Sequence, residues 1–194
     1  MNNNGIDKGT VQEHNLEPNL VTWIPTPPEI VERMLALADV SPRDVVCDLG
    51  CGDGRVLISA VRDFGASRAI GYEIRPDLCQ TTHKVARQLG LQDRIKVVNG
   101  DLRQADLSEP SVVVLYLTTQ ANQMLAEALE RSLRTGSRVV TYLFPIPGWL
   151  PAGEFDLGSA SFEEARFIGK LYLYLMPPTP VRPTDSAGPL QGRL

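Results

Sequence analysis

From Val45 onward the chain alternates short β-rich runs with amphipathic helical runs, and this alternation forces parallel strands joined by crossover helices. The strand segments are Val45 to Leu49, Arg68 to Glu73, Arg94 to Asn99, Val112 to Leu117 and Arg138 to Phe144. Between them, Arg55 to Phe64 carries Val56, Leu57, Ala60, Val61 and Phe64 on one face, and Gly65 suits a left-handed terminator. Pro76 to Leu89 ends at Gly90 in the same manner, while Gln120 to Leu133 presents Met124, Leu125, Ala128 and Leu129 and closes at Gly136. An earlier helix opens with Thr26 as cap, Pro27 in the first helical position and Glu29 as capping-box partner. Ile30, Met34, Leu37 and Ala38 then recur at helical spacing. After the fifth strand the alternation stops, so Glu154 to Gly158 and Phe167 to Met176 are expected to finish the sheet as an antiparallel hairpin. The expected fold class is α/β: a doubly wound, mostly parallel sheet with a C-terminal antiparallel hairpin.

A length of 194 residues, 43% of them hydrophobic, suits one sizeable core rather than two. Residues 1–20 are polar and aperiodic and read as a flexible leader; residues 21–176 form the folded domain, and the proline-rich stretch 177–194 reads as a disordered tail. The net charge of -4 argues against a surface that tracks nucleic-acid phosphates, which needs clustered Lys and Arg. No apolar run approaches roughly 18 residues and Met1 to Gly5 is neither cationic nor apolar, so neither a membrane span nor export is expected. Cys47, Cys51 and Cys79 are an odd count without a histidine cluster to complete a metal site, and they read as reduced thiols of a cytoplasmic protein.

The most chemically informative segment is Asp48-Leu49-Gly50-Cys51-Gly52-Asp53-Gly54, a strand ending in an acid, three alternating glycines, then a helix. Missing side chains in such a turn let backbone N–H groups approach a nucleotide-like ligand. A dinucleotide fingerprint starting at Gly50 would require glycine at position 55, where Arg55 stands; the third glycine falls at Gly54 instead. Glu73 closes the second strand about twenty residues on, where an acidic side chain can accept both ribose hydroxyls. Asp101 follows the third strand, so three carboxylates stand at successive strand ends, on the edge where open α/β sheets bind ligands.

This G-x-G-x-G form behind an acid resembles motif I of the Rossmann-like class I methyltransferases, which implies S-adenosyl-L-methionine (SAM) as cofactor and S-adenosyl-L-homocysteine (SAH) as product. Trp23-Ile24-Pro25-Thr26-Pro27, Asp48 to Arg55, Leu115-Tyr116-Leu117-Thr118 and Phe144-Pro145-Ile146-Pro147-Gly148-Trp149 are similar to segments of the small seven-β-strand protein lysine methyltransferases. That group includes an archaeal broad-specificity enzyme and mitochondrial enzymes acting on the adenine nucleotide translocase and ATP synthase subunit c. The resemblance runs from about Val21 to Trp149, with Trp23 where the family often has Tyr. It implies that Thr26, Asp48, Gly50, Cys51, Gly52, Glu73, Asp101, Leu102 and Leu115 hold the cofactor, with Asp101 receiving the adenine amino group. It likewise implies that Trp23, Tyr116, Leu117 and Trp149 attend the transfer. Plain structural roles stand beside these: a helix cap for Thr26, a strand residue for Tyr116, a plug over the core for Trp149.

With lysine as acceptor the chemistry is one in-line displacement, so alignment and exclusion of water carry it. A lysine amine with pKa near 10.4 is neutral only about once in 2,500 at pH 7, a handicap of roughly 4.6 kcal/mol. Burial lowers that pKa whereas a nearby carboxylate raises it, which favours an apolar, aromatic rim built from Trp23, Tyr116, Phe144 and Trp149. The partner expected is a protein with an exposed lysine, met by a monomeric enzyme. A small-molecule methyltransferase would carry extra lid helices, for which little sequence is spare. A nucleic-acid amine methyltransferase would resemble Asn/Asp-Pro-Pro-Tyr/Phe where Leu115-Tyr116-Leu117-Thr118 stands. A SAM-binding protein without activity is a further alternative.

Overall fold

The computed structural model describes residues 24–157 and 169–181. In chain order it contains α1 (Pro28–Leu37), β1 (Val45–Leu49), α2 (Arg55–Arg62), β2 (Arg68–Glu73), α3 (Pro76–Gln88), β3 (Ile95–Asn99) and a 3-10 turn at Leu102–Gln104. There follow β4 (Val112–Leu115), α4 (Thr119–Ser132), β5 (Arg138–Tyr142), β6 (Trp149–Leu150), β7 (Gly153–Asp156), β8 (Lys170–Leu175) and β9 (Thr179–Pro180). Seven strands form one sheet in the order β3-β2-β1-β4-β5-β8-β7. Pairings among β1 to β5 are parallel, and β8 runs antiparallel to both β5 and β7. The Rossmann-like sheet with its closing hairpin is the fold expected above.

Alternate residues along each strand serve opposite layers, as the pleat requires. Val46, Val112, Val114 and Val140 pack in one core with Ile30 and Met34 of α1 and Leu57 and Val61 of α2. Cys47, Leu49, Val113, Leu115 and Val139 pack in the other with Leu125 and Leu129 of α4 and Tyr174 of β8. At the amino ends of the strands a polar knot ties the sheet to α1. Arg138 pairs with the buried Asp44 and donates to the carbonyls of Ala38 (2.7 Å) and Asp39 (3.1 Å), while Ser111 Oγ donates to Asp44 at 2.7 Å.

Several local expectations are corrected. Pro27, not Thr26, is the residue that caps α1, and no side-chain cap forms. Pro27 lacks the N–H that a capping box must satisfy, whereas its carbonyl accepts from Ile30 and Val31. β5 stops at Tyr142 because Leu143 turns out of the sheet with φ 67°. Met124, expected on the buried face of its helix, is instead exposed, while Ala121, Asn122, Leu125 and Leu129 form that face. Thr179–Pro180 pairs antiparallel with Trp149–Leu150, so ordered chain extends past the expected boundary at residue 176. The remainder of the tail, the leader and Trp23 lie outside the described residues.

Candidate active site

β1 sits where the strand order reverses: β2 and β3 extend to one side of it, β4 and β5 to the other. A crevice at the carboxyl ends of strands is inherent in such a reversal. A cavity of about 580 Å³ occupies it, running from Asp101 after β3, past Glu73 and Asp48, to Tyr116 after β4 and Phe144 after β5. That volume is in the range that encloses a nucleoside-sized ligand.

The glycine loop does not offer its amides to this space. Gly50 and Cys51 both donate to the carbonyl of Tyr72 (2.9 and 3.0 Å), Gly52 donates to Glu73 Oε2 (2.9 Å), and Gly54 donates to Cys51 (2.9 Å). The amides of Gly50, Cys51 and Gly52 are thus taken up by β2 and that of Gly54 by the loop itself. A pyrophosphate would find no cradle of free amides at these four positions. Glycine is required for a different reason. A Cβ on Gly71 of β2 would meet Cys51 Sγ at 2.5 Å, and one on Gly54, whose φ is 78°, would meet Thr82 of α3 at 2.2 Å. The loop therefore lies tight on β2 and α3, with its outer surface turned to the cavity.

Acids supply the polarity instead. Glu73, 7% exposed, accepts from Gly52 through Oε2 and from the Arg75 amide through Oε1 at 2.9 Å. Asp48, 5% exposed, lines the cavity, and no described residue hydrogen-bonds its carboxyl. Burial first, then the charges of Glu73 and Asp53, push its pKa up to about 8. Such a group is suited to a cationic partner, and the α-ammonium and sulfonium of SAM fit that demand. Asp101 lines the far end, where Arg103 pairs with it (Nε to Oδ2, 2.7 Å) and holds its carboxyl below the usual range. Leu102 and Leu117 flank Gly50, their Cδ2 atoms 3.9 and 3.3 Å from where its Cβ would be, and give flat apolar walls between these acids. Burial, with Asp48 and Glu73 nearby, raises the Cys51 thiol, which remains a neutral part of the wall.

The other end is apolar. Tyr116, Leu117, Met124, Leu125 and Phe144 face the cavity, and the Tyr116 ring leans on Tyr142 with centroids 4.8 Å apart. Thr26 is buried and also lines the cavity. Leu115 does not: it is wholly buried in β4, packed toward α4. Trp149 does not either. Its ring meets Tyr174 edge-on at 5.6 Å and its Nε1 donates to Glu130 at 2.8 Å, so it plugs the core. Asp53 and Arg55, named in the glycine motif from sequence but given no role of their own, also line the cavity. Arg55 grips Asp53 through Nε (2.9 Å) and Nη2 (2.6 Å) and donates from Nη1 to the carbonyl of Thr26 at 2.8 Å. Their place on either side of Gly54 at the start of α2 was the available signal.

The model of the ANTKMT methyltransferase domain matches residues 48–153, more than half of the chain. The chain belongs to this family. It is 38% identical over 156 residues to a protein-lysine N-methyltransferase of Saccharolobus islandicus, covering 80% of this chain and 94% of that one. It is 33% identical over 129 residues to the adenine nucleotide translocase lysine N-methyltransferase of Mus musculus, of which it spans 56%. Among solved structures, an RNA methyltransferase from Salinibacter ruber in complex with SAH is 42% identical, with TM-score 0.72 over 79% of this chain and 94% of that one. This ANTKMT-family protein is thus a SAM-dependent methyltransferase. Asp48, Glu73 and Asp101 line the cavity beside β1, β2 and β3, and SAM supplies an electrophilic methyl group when bound.

Proposed function

We propose that the acceptor is a lysine ε-amine of a protein. The observation that carries this is the contrast along the cavity: acids line the cofactor end, whereas Tyr116, Leu117, Met124, Leu125 and Phe144 line the other. A lysine entering there leaves water beside these side chains, and the nearby Asp53 carboxylate is already paired with Arg55, so burial lowers the lysine pKa toward the neutral, nucleophilic form. The aromatic faces of Tyr116 and Phe144 also accept the methylated ammonium that each transfer creates. Tyr116, whose phenol burial pushes further above its ordinary value, orients the nitrogen, and Leu117 excludes water beside the methyl group. Thr26 and Leu102 complete the wall around the cofactor. The names of the archaeal and mouse relatives agree with this acceptor. Three free, buried cysteines suit a reducing, cytoplasmic setting.

The Salinibacter ruber relative's name raises a second acceptor, RNA. Against it stands the pairing of the cavity-lining cations: Arg55 with Asp53, Arg75 with Asp77 and Arg103 with Asp101, which leaves little positive charge for phosphates. One experiment separates the two. The protein is incubated with methyl-labelled SAM and a lysate, and samples are digested with protease or ribonuclease. Label that resists ribonuclease and maps to lysine by mass spectrometry is expected; label lost only to ribonuclease, or found only on small metabolites, overturns the proposal.

A further inference from the structure

The segment Pro25-Thr26-Pro27-Pro28 has a single N–H among four residues, because prolines carry none. It has too few backbone donors to be held as a strand would be. Its available handles are carbonyls, and the carbonyl of Thr26 is the one gripped, by Arg55 Nη1 at 2.8 Å. Among the described residues this is the one hydrogen bond joining residues 24–26 to the rest of the molecule. The donor is itself fixed. Arg55 is the first residue of α2, and Asp53 takes its Nε and Nη2 in a two-pronged pair at 2.9 and 2.6 Å. Asp53 in turn belongs to the glycine loop. Ile24, Pro25, Thr26, Asp53 and Arg55 all line the cavity. α1, which this segment leads into, packs on α2 and β5, so the segment stands at the acceptor end rather than at the adenine end.

We propose that Arg55 is a positioning residue for methyl transfer: with Asp53 as its anchor it fastens the Ile24–Thr26 wall to the cofactor loop and closes the cavity over the methionine end of SAM. The guanidinium suits this task because its planar fork serves a carboxylate and a carbonyl at once, which a lysine ammonium on a flexible stem does not. A wall displaced by about an ångström would leave the methionine arm and the sulfonium open to water, the kind of misplacement that costs up to ~100-fold. The proposal presupposes SAM in this cavity.

The test compares two ligands, SAH and adenosine, by calorimetry on the full chain and its Arg55→Ala and Arg55→Lys variants. Adenosine lacks the arm that the wall covers. The expected result is SAH weakened about tenfold or more by Arg55→Ala and less by Arg55→Lys, with adenosine unchanged within about twofold. Should Arg55→Ala fail to fold, Arg55→Lys provides the same comparison. Equal weakening of both ligands means that Arg55 merely supports the whole site, and unchanged SAH affinity in a folded variant means that the clasp holds nothing; either overturns the proposal. If the unmodified protein takes up neither ligand, the cofactor assignment fails, and the clasp with it. A protein that binds SAH but is indifferent to Arg55 loses the clasp alone.

Discussion

Glu73 at the end of β2 accepts the amide of Gly52 at 2.9 Å, so the acid that faces the cavity also shapes the loop opposite it. If Glu73 holds the cofactor, affinity and loop geometry should be coupled through this one carboxylate. Glu73→Ala should weaken SAM by about 1.5 to 3 kcal/mol, roughly ten- to a hundredfold in Kd, through lost charged hydrogen bonds. It should also lower the melting temperature, because the buried Gly52 amide loses its acceptor. Calorimetry and a thermal melt read the two effects, and Glu73→Gln, which keeps one acceptor oxygen, should fall between.

The Asp48 carboxyl, pushed up to about 8 chiefly by burial and then by Glu73 and Asp53, is protonated in the ligand-free protein at pH 7. A cationic methionine arm favours the ionised form, so binding expels a proton. SAM affinity should rise between pH 6 and pH 8, by at most about tenfold per unit, and level off above. Calorimetry in two buffers of different ionisation enthalpy counts the proton; Asp48→Asn should abolish both the release and the slope. Folding follows the opposite direction. Because the folded pKa lies above the unfolded value of roughly 3.9, this group's contribution to ligand-free stability is complete below that value and is lost as pH rises through about 8. Melting temperature should therefore fall less steeply with pH in Asp48→Asn.

Trp149 and Tyr116 should separate cleanly. Removing the buried Trp149 ring deletes its edge contact with Tyr174 and its bond to Glu130, and Trp149→Ala should cost about 3 to 5 kcal/mol of stability. Its folded fraction should bind SAM as the parent does. Tyr116→Phe keeps the ring against Tyr142 and loses only the hydroxyl, so stability and SAM affinity should hold within a few-fold while turnover on a lysine acceptor drops. Unchanged turnover would remove the phenol from the mechanism.

Gly71 tests the tight seat of the loop. A methyl there would stand 2.5 Å from Cys51 Sγ and 2.6 Å from Leu57 Cδ1, so Gly71→Ala must move the loop or the helix. Overpacking of this kind costs about 1 to 3 kcal/mol, and because the displaced residue lines the cavity, SAM affinity should fall along with melting temperature. A variant that melts lower yet binds SAM normally would show that the loop yields without disturbing the site.

Much of this was legible along the chain. β1 and β2 begin and end where hydrophobic patterning put them, and β3, α2 and α3 differ by no more than two residues at either end. Asp48, Gly50, Cys51, Glu73, Asp101, Leu102, Tyr116 and Leu117 were all expected around one crevice, and all line it. Side-chain periodicity and the position of an acid at a strand's end are local properties, readable without knowing what packs where. Gly52 and Leu115, also expected around the crevice, are not among the lining residues; the Leu115 side chain faces the opposite layer from its strand neighbours, and a motif gives no parity. Trp149 was misjudged because its partners, Glu130 and Tyr174, come from α4 and β8.

Sequence by itself determined a doubly wound sheet and three acids at successive strand ends on its ligand-binding edge, since burial period and chain spacing dictate those. Tertiary structure alone decided that the amides of Gly50 and Gly52 turn inward to Tyr72 and Glu73, and that Arg55 reaches across 29 positions to Thr26. A hydrogen bond goes to whichever partner the packed elements bring within about 3 Å, and which one that is depends on register and layer, not on distance along the chain.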